Sequence, residues 1–291
     1  MEPITNNPPV IVILGPTASG KSALALNLAE RFNGELIAAD SRTIYRGMDI
    51  GTAKPSSEEQ RRVKHHLIDI RTPDQTFSAA EFQRLAQAAI GDITARGKLP
   101  IVVGGTGLYI DALIYDFTFR PLGDPEQRRA LEQLTIEQLQ AKLTEDGIPW
   151  PSNDRNPRHL VRALEAGGAG TERSPLRPNT LVIGLSPDKA VLDERIAKRV
   201  EQMVAVGFPD EVRQLAAEYG WDAPGLQAPG YKAFRAYIMG EATLDQAKQQ
   251  FIQNDVQYAK RQKTWFKRNK DVHWASGSEE VVALVTTFLN K

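Results

Sequence analysis

The sequence contains no cysteine, and this absence excludes disulfide bonds and thiolate metal centres. Its four histidines are too scattered to form a convincing zinc site. The 36 basic and 36 acidic residues cancel, so a polyanionic partner would have to bind a local basic patch. No apolar run approaches the roughly 20 residues of a membrane span, and the first residues do not resemble a signal peptide. These absences predict a globular cytoplasmic protein with no membrane partner.

A glycine-rich motif near the start of the chain is typical of a phosphate-binding loop. Residues 10–22 read VIVILGPTASGKS, an apolar run followed by the pattern GxxxxGK[ST]. In such a loop, inward-facing backbone N–H groups, a lysine ammonium and the positive end of the following helix bind phosphate, while the last hydroxyl is offered to Mg²⁺. The sequence therefore predicts a diphosphate site at Gly15, Thr17, Ala18, Ser19, Gly20, Lys21 and Ser22, with Ser22 as the metal ligand.

Short buried runs that alternate with helical patterns indicate an α/β protein. The runs at 10–14, 35–39, 100–103 and 181–185, with a weaker one at 65–70, predict a P-loop NTPase-like parallel sheet flanked by helices. Residues 118–177 lack buried strand runs and predict a small helical insertion in a core formed by 1–117 and 178–291. The last third of the chain is expected to be helical, and Ser186-Pro187 is expected to begin a long helix.

Two polar residues follow predicted strands at the edge of the sheet where ligands bind in α/β folds. Asp40 follows one strand, and Thr106 follows another in the turn GGTG, where a motor ATPase would normally carry an aspartate for Mg²⁺. Asp69 is a possible substitute for that aspartate. We interpret Asp40 as a general base, with a Mg²⁺-water ligand or a loop cap as the alternative. Thr106 would either orient an acceptor or cap the next helix.

Basic residues on two predicted helices offer further anion contacts. Arg195 and Arg199 are four residues apart and share a helix face, which favours a clamp on phosphates over the alternative of a solvated basic face. The run YAKRQKTWFKRNK at 258–270 has six basic residues, no acid and three aromatics. This composition is typical of nucleic-acid binding, with an ordinary amphipathic helix and buried aromatics as the alternative.

Several motifs together resemble one family, the tRNA dimethylallyltransferases. They run in order along nearly the whole chain: GPTASGKS at 15–22, ADSRTIYRGMDIGTAKP at 39–55, HHLIDI at 65–70, SAAEF at 78–82, VGGTGLYI at 103–110, LVRALE at 160–165, ERIAKRVEQM at 194–203, GYK at 230–232 and YAKRQKTWF at 258–266. The family often has Gln where Thr43 stands, and the segment before residue 161 is shorter here. The absence of cysteine, hence of an appended zinc finger, fits the bacterial type.

The resemblance implies transfer of a dimethylallyl group from dimethylallyl diphosphate to N6 of adenine 37 in the anticodon stem-loop of tRNA. It implies Mg²⁺ as cofactor, and we expect a monomer. The catalytic residues would be Lys21, Asp40, Thr106, Arg195 and Arg199. The tRNA would be contacted by the helical insertion and by Asp40, Ser41, Thr43, Tyr45, Gly105, Thr106, Gln257, Lys260, Arg261, Gln262, Lys263 and Trp265.

Three other hypotheses compete with this one. A P-loop kinase for a small molecule is disfavoured by the missing aspartate and the basic C-terminal run. A nucleic-acid-binding module without catalysis is disfavoured by the intact Lys21, Ser22 and Asp40. Prenylation of free AMP or ATP is disfavoured by the basic run but stays open.

Overall fold

A six-stranded sheet forms the core of the larger part of the chain in the computed structural model, which describes residues 7–119, 123–167 and 172–290. The strands run in the order β3-β2-β4-β1-β5-β6, and all neighbouring pairs are parallel. Their bounds are β1 Val10–Leu14, β2 Gly34–Ala39, β3 His65–His66, β4 Leu99–Gly104, β5 Thr180–Leu185 and β6 Val272–Ala275. The predicted fold class, a parallel α/β sheet flanked by helices, is confirmed.

Twelve α-helices are found within the described ranges, and most connect or cover the strands. Their bounds are α1 Lys21–Arg31, α2 Ser57–Arg62, α3 Ala79–Ala95, α4 Gly107–Ile114, α5 Pro125–Glu132, α6 Ile136–Glu145, α7 Pro157–Glu165, α8 Lys189–Ala205, α9 Phe208–Tyr219, α10 Pro229–Ile238, α11 Leu244–Phe266 and α12 Ser278–Leu289. No helix of the described residues is long and apolar enough to cross a membrane.

Local sequence signals explain several of these boundaries. Ser78 accepts a hydrogen bond from the Glu81 N–H and the Glu81 carboxylate accepts one from the Ser78 N–H, so this reciprocal capping box begins α3. Gly97 has a φ of +68°, a left-handed conformation that glycine adopts without strain, and it follows the end of α3. The central strands β1 and β4 consist wholly of buried residues, as expected for strands covered on both faces.

Three sequence predictions need correction. The strand expected at 65–70 ends after His66, because Leu67 and Asp69 have positive φ angles that leave the extended region. The helix expected from Ser186 begins later, with Asp188 as its N-cap. The last third is not entirely helical, since β6 pairs with β5 at the edge of the sheet. This strand has only four residues, of which the first and last are buried, so the sequence shows no alternating pattern there.

The chain divides into two compact units, residues 1–114 with 176–291 and residues 115–175. In the smaller unit, helices α5 to α7 enclose a core that includes Leu139, Leu143 and Leu160, each 0 % exposed. The carboxylate of Glu165 in α7 accepts hydrogen bonds from Arg128 of α5. Apolar packing and this charged contact therefore stabilise the smaller unit from within.

Candidate active site

The phosphate loop lies between β1 and α1, where its backbone turns sharply. Ala18 and Gly20 both have positive φ, at +59° and +89°. Gly15 can only be glycine, because a Cβ would lie 2.7 Å from the Leu185 carbonyl oxygen and 2.8 Å from Ser19 Oγ. Ser22 lies exposed in the first turn of α1. The predicted diphosphate residues thus form one turn at the carboxyl end of β1.

Lys21 extends back over this loop and donates a hydrogen bond to the Pro16 carbonyl oxygen at 3.1 Å. Burial lowers the pKa of its ammonium to about 8, with Asp40 opposing and Arg199 adding to the decrease. Lys21 therefore carries a positive charge at neutral pH but loses it within the mildly alkaline range. A bound polyanion would favour the charged form.

Asp40 and Thr106 lie at the ends of β2 and β4, which are neighbours in the sheet. Asp40 Oδ1 accepts a hydrogen bond from the Arg42 N–H at 2.8 Å, and Thr106 Oγ1 accepts one from the Ser41 N–H at 3.0 Å. The hydrogen bond of the Thr106 side chain thus connects the chain after β4 with the chain after β2. The Tyr258 hydroxyl is also hydrogen-bonded to the Thr106 side chain, and burial raises its pKa to about 12, so Tyr258 stays neutral.

The two arginines of α8 lie in different environments. Arg199 lines the cavity described below and pairs with the Asp255 carboxylate of α11 at 2.5 Å. Burial raises the pKa of Asp255, and the Arg199 charge offsets part of this shift. Arg195 is exposed, with its guanidinium 3.5 Å from the Ala18 carbonyl oxygen. The predicted clamp is therefore uneven, with one half-buried, paired arginine and a second, exposed one at the outer edge of the phosphate loop.

A cavity of about 520 Å³ lies over the phosphate loop within the larger unit. Its lining joins Lys21, Ser22, Asp40 and Arg199 with an apolar wall that includes Leu36, Ala38, Val103 and Phe251. Three buried polar atoms of lining residues have no hydrogen-bond partner among the described residues: Ser19 Oγ, Thr43 Oγ1 and Arg199 Nε. Buried polar groups are normally paired, so these atoms indicate that the cavity holds a polar ligand or water. Its polar and apolar walls suit an amphiphilic anion.

The loop from Ser41 to Pro55 forms a rim of this cavity, and hydrogen bonds to Glu211 and Lys54 fix its conformation. The Glu211 carboxylate of α9 accepts hydrogen bonds from the backbone N–H groups of residues 49, 50 and 51 and from the Tyr231 hydroxyl. Lys54 is buried and donates to Asp49, Asp69 and the Tyr45 carbonyl oxygen. Asp69 therefore fixes a loop lysine. It does not line the cavity over the phosphate loop, so the structure gives no support to its suggested role as a Mg²⁺ aspartate.

The residues predicted to contact tRNA do not share one environment. Thr43 and Tyr45 are buried, whereas Gln257, Lys260 and Arg261 are exposed on α11. Lys263 is half-buried, and Gly105 and Gln262 pack together in the interior.

The aromatics of the basic run also point in different directions. Trp265 is 39 % exposed, with its indole N–H donating to Asp111 at 2.8 Å. Phe266 is 1 % exposed, and Tyr258 lines the cavity. The prediction that these aromatics form an open stacking surface is wrong for Phe266, which belongs to the core.

Sequence reasoning missed the inward face of α11. Asp255, Tyr258 and Gln262 lie three and seven residues apart and so occupy one side of the helix. They contact Arg199, Thr106 and the phosphate loop, respectively. The helical spacing of these three residues is a signal in the sequence. The surrounding basic residues favoured a prediction for the outward face alone.

These features define a P-loop α/β protein whose ligand site combines a phosphate loop, a strand-end aspartate and a half-buried arginine. Residues 43–269 match a family model described as IPP transferase. The chain belongs to the IPP transferase family and is a transferase, as the sequence motifs indicate.

Individual relatives agree with this assignment. A tRNA dimethylallyltransferase from Geobacillus thermodenitrificans is 44 % identical over 282 residues, which cover 91 % of this chain and 89 % of that protein. The crystal structure of a tRNA isopentenylpyrophosphate transferase from Bacillus halodurans is similar with a TM-score of 0.74 and 39 % identity, covering 97 % of this chain and 95 % of that one. A eukaryotic dimethylallyltransferase acting on tRNA gives a TM-score of 0.82 at 25 % identity, over 97 % and 79 % of the two chains.

The titration of Lys21 gives a prediction for anion binding. Because the ammonium has a pKa of about 8 in the free protein, pyrophosphate affinity should fall as the pH rises through this value. Calorimetric titration with pyrophosphate at a series of pH values from about 6.5 to 9.5 measures this affinity. Lys21→Arg, whose guanidinium stays charged throughout, should lose this alkaline decrease. Equal affinity of the unaltered protein across the range would contradict the prediction.

Proposed function

We propose that this protein transfers the dimethylallyl group of dimethylallyl diphosphate to N6 of adenine 37 in tRNA. The observation that carries the proposal is the cavity, which brings a phosphate loop, a carboxylate and a half-buried arginine together beside an apolar wall. Its polar groups suit a diphosphate and its apolar wall suits a five-carbon allyl group. Every group in this scheme comes from one chain, so the proposal needs no second copy.

The chemistry divides into three roles, which are stabilising the leaving group, accepting a proton and positioning the acceptor. As the allylic C1–O bond breaks, its electron pair leaves with pyrophosphate, and Lys21 and Arg199 stabilise the growing negative charge. The lone pair of N6 forms the new bond to C1. Asp40 then accepts the proton that N6 releases, since its carboxylate lies beside the phosphate loop. Thr106 positions the acceptor through the strand end it shares with Ser41.

The donor set suits a magnesium ion that is held largely by the substrate. The described residues contain no group of three or more acidic, histidine or cysteine side chains that could hold a metal ion. Mg²⁺ commonly binds through substrate phosphates, water and one or two protein groups. Ser22 would hold the ion, with Asp40 also lining the cavity. When bound, the ion would neutralise negative charge on the diphosphate.

The outward face of α11 would bind the tRNA backbone. Lys260, Lys263 and Lys267 lie at intervals of three and four residues and present ammonium groups along the helix. Replacing all three by Ala should weaken RNA binding and reduce the slope of log Kd against log salt by about 2, since each phosphate contact in a single strand contributes about 0.7. Fluorescence anisotropy with an anticodon stem-loop at several salt concentrations measures the slope. Arg261 is left intact because it also lines the cavity.

A matched set of exposed cations provides the control. Arg31, Arg61 and Lys64 lie near α1, α2 and β3, and their triple Ala variant removes the same charge. The proposal expects an unchanged salt slope for this set. Equal slopes for both triple variants would mean that α11 is a solvated face.

A direct transfer assay tests the reaction itself. The protein is incubated with labelled dimethylallyl diphosphate, Mg²⁺ and an anticodon stem-loop carrying adenine at positions 36 to 38, in parallel with AMP. Label on the adenine at position 37 supports the proposal, and replacement of that adenine by guanine should abolish it. Label on AMP alone, or on neither acceptor, would overturn it.

A further inference from the structure

Gln262 connects the phosphate loop with the turn that carries Gly105 and Thr106. Its Oε1 accepts a hydrogen bond from the Thr17 N–H of the phosphate loop at 2.8 Å, and its Nε2 donates one to the Gly105 carbonyl oxygen at 2.9 Å. The side chain is only 5 % exposed, and both hydrogen bonds are buried. One rigid amide therefore sets the distance between the loop that holds phosphate and the turn that carries Thr106.

The fit between Gln262 and its neighbours is close. A Cβ at Gly105 would collide with Gln262 Nε2, so the absence of a side chain there admits the amide. One partner is a donor and the other an acceptor, and a primary amide satisfies both with a single planar group. A hydrocarbon of the same length would leave both backbone groups buried without a partner, which is unfavourable.

We infer that Gln262 is a positioning residue, which holds the phosphate loop in register with the Gly105–Thr106 turn. The inference rests on the proposed function, because it assigns diphosphate to one loop and the acceptor adenine to the other. It replaces the expectation that Gln262 contacts tRNA. Gln262 acts on the reaction through its hydrogen bonds to Thr17 and Gly105. The basic residues of α11 lie on the opposite, outward face of the helix.

The first test replaces the amide by a thioether of similar length, in Gln262→Met. Pyrophosphate affinity should fall about tenfold because two buried hydrogen bonds that shape the loop are lost. The kcat of transfer should fall by a similar factor, while the Kd for the anticodon stem-loop stays within about twofold. Pyrophosphate binding is measured by calorimetry, so it reports on Gln262 even if the unaltered protein transfers nothing to RNA.

Gln253→Met provides the matched control, since Gln253 is exposed on the same helix and should leave all three quantities unchanged. Weaker stem-loop binding with unchanged pyrophosphate affinity would mean that Gln262 contacts RNA. A parallel loss of both affinities together with a lowered melting temperature would mean a merely structural role. Either result would overturn the inference, and so would no change at all.

A second variant, Gln262→Glu, has a pH signature that simple loss of stability does not produce. A protonated carboxyl group has one donor and one acceptor, like the amide, whereas the ionised form cannot donate to the Gly105 carbonyl oxygen. Burial raises the pKa of such a carboxyl group. Pyrophosphate affinity relative to the unaltered protein should be restored at acidic pH, where the carboxyl group is protonated, and fall about tenfold as the pH rises through the pKa of that group. A ratio that does not change with pH would overturn the inference.

Discussion

Asp40→Asn should slow single-turnover transfer to the stem-loop by about 10² to 10⁴-fold, the range expected when a positioned general base is lost. The substitution preserves the loop, because an asparagine oxygen can accept the Arg42 N–H that Asp40 Oδ1 accepts now. The variant lacks only the carboxylate that takes the N6 proton. Rapid-quench measurement with saturating substrates isolates this step from binding and product release.

The pH of the Asp40 experiment must be chosen with Lys21 in mind. The Asp40 charge raises the pKa of Lys21, so Asp40→Asn should shift the alkaline loss of pyrophosphate binding to lower pH. Transfer is therefore compared at about pH 6.5, where Lys21 is charged in both proteins. Asp74→Asn, at an exposed site, is the control and should transfer normally. An unchanged single-turnover rate for Asp40→Asn would refute the general-base role.

Local sequence signals predicted most of the helices and strands correctly. The elements that they did not predict depend on contacts between residues that are distant in the chain. The phosphate loop and the capping box at Ser78 depend on neighbours within a few residues, and both are present in the structure. β6 depends instead on pairing with β5, almost 90 residues earlier in the chain, so its four residues gave no clear periodic signal. Tertiary pairing decided this element.

The same distinction applies to the site. Asp40 and Thr106 were recognised because they follow buried strands, a position that parallel sheets use for ligands. Glu211 was not recognised, since a glutamate on a helix gives no sign that it will accept three backbone N–H groups of a distant loop. Asp255 was missed for a similar reason, because its partner Arg199 lies 56 residues away. The sequence therefore identifies the residues with chemical roles. The contacts that support them join distant parts of the chain, so they can be identified only in the folded structure.

Arg199→Ala should lower kcat by about 10² to 10³-fold, because Arg199 is a half-buried cation that lines the cavity in which the proposed diphosphate would leave. The variant also leaves the Asp255 carboxylate buried without its partner, which is destabilising by about 1 to 3 kcal/mol because the pair is partly exposed. The double variant Arg199→Ala/Asp255→Ala removes this unpaired charge, so it should regain most of the lost free energy of unfolding in urea. It should regain none of the lost kcat.

Arg195→Ala is the matched control for Arg199→Ala, since it removes the same side chain one helical turn earlier on α8. Arg195 is exposed and only approaches the Ala18 carbonyl oxygen, so solvent screens its charge and kcat should fall by less than about tenfold. Equal losses at the two positions would mean that both arginines clamp the diphosphate, as the helical spacing alone suggests. Recovery of kcat in the double variant would mean that Arg199 stabilises the fold without stabilising the leaving group.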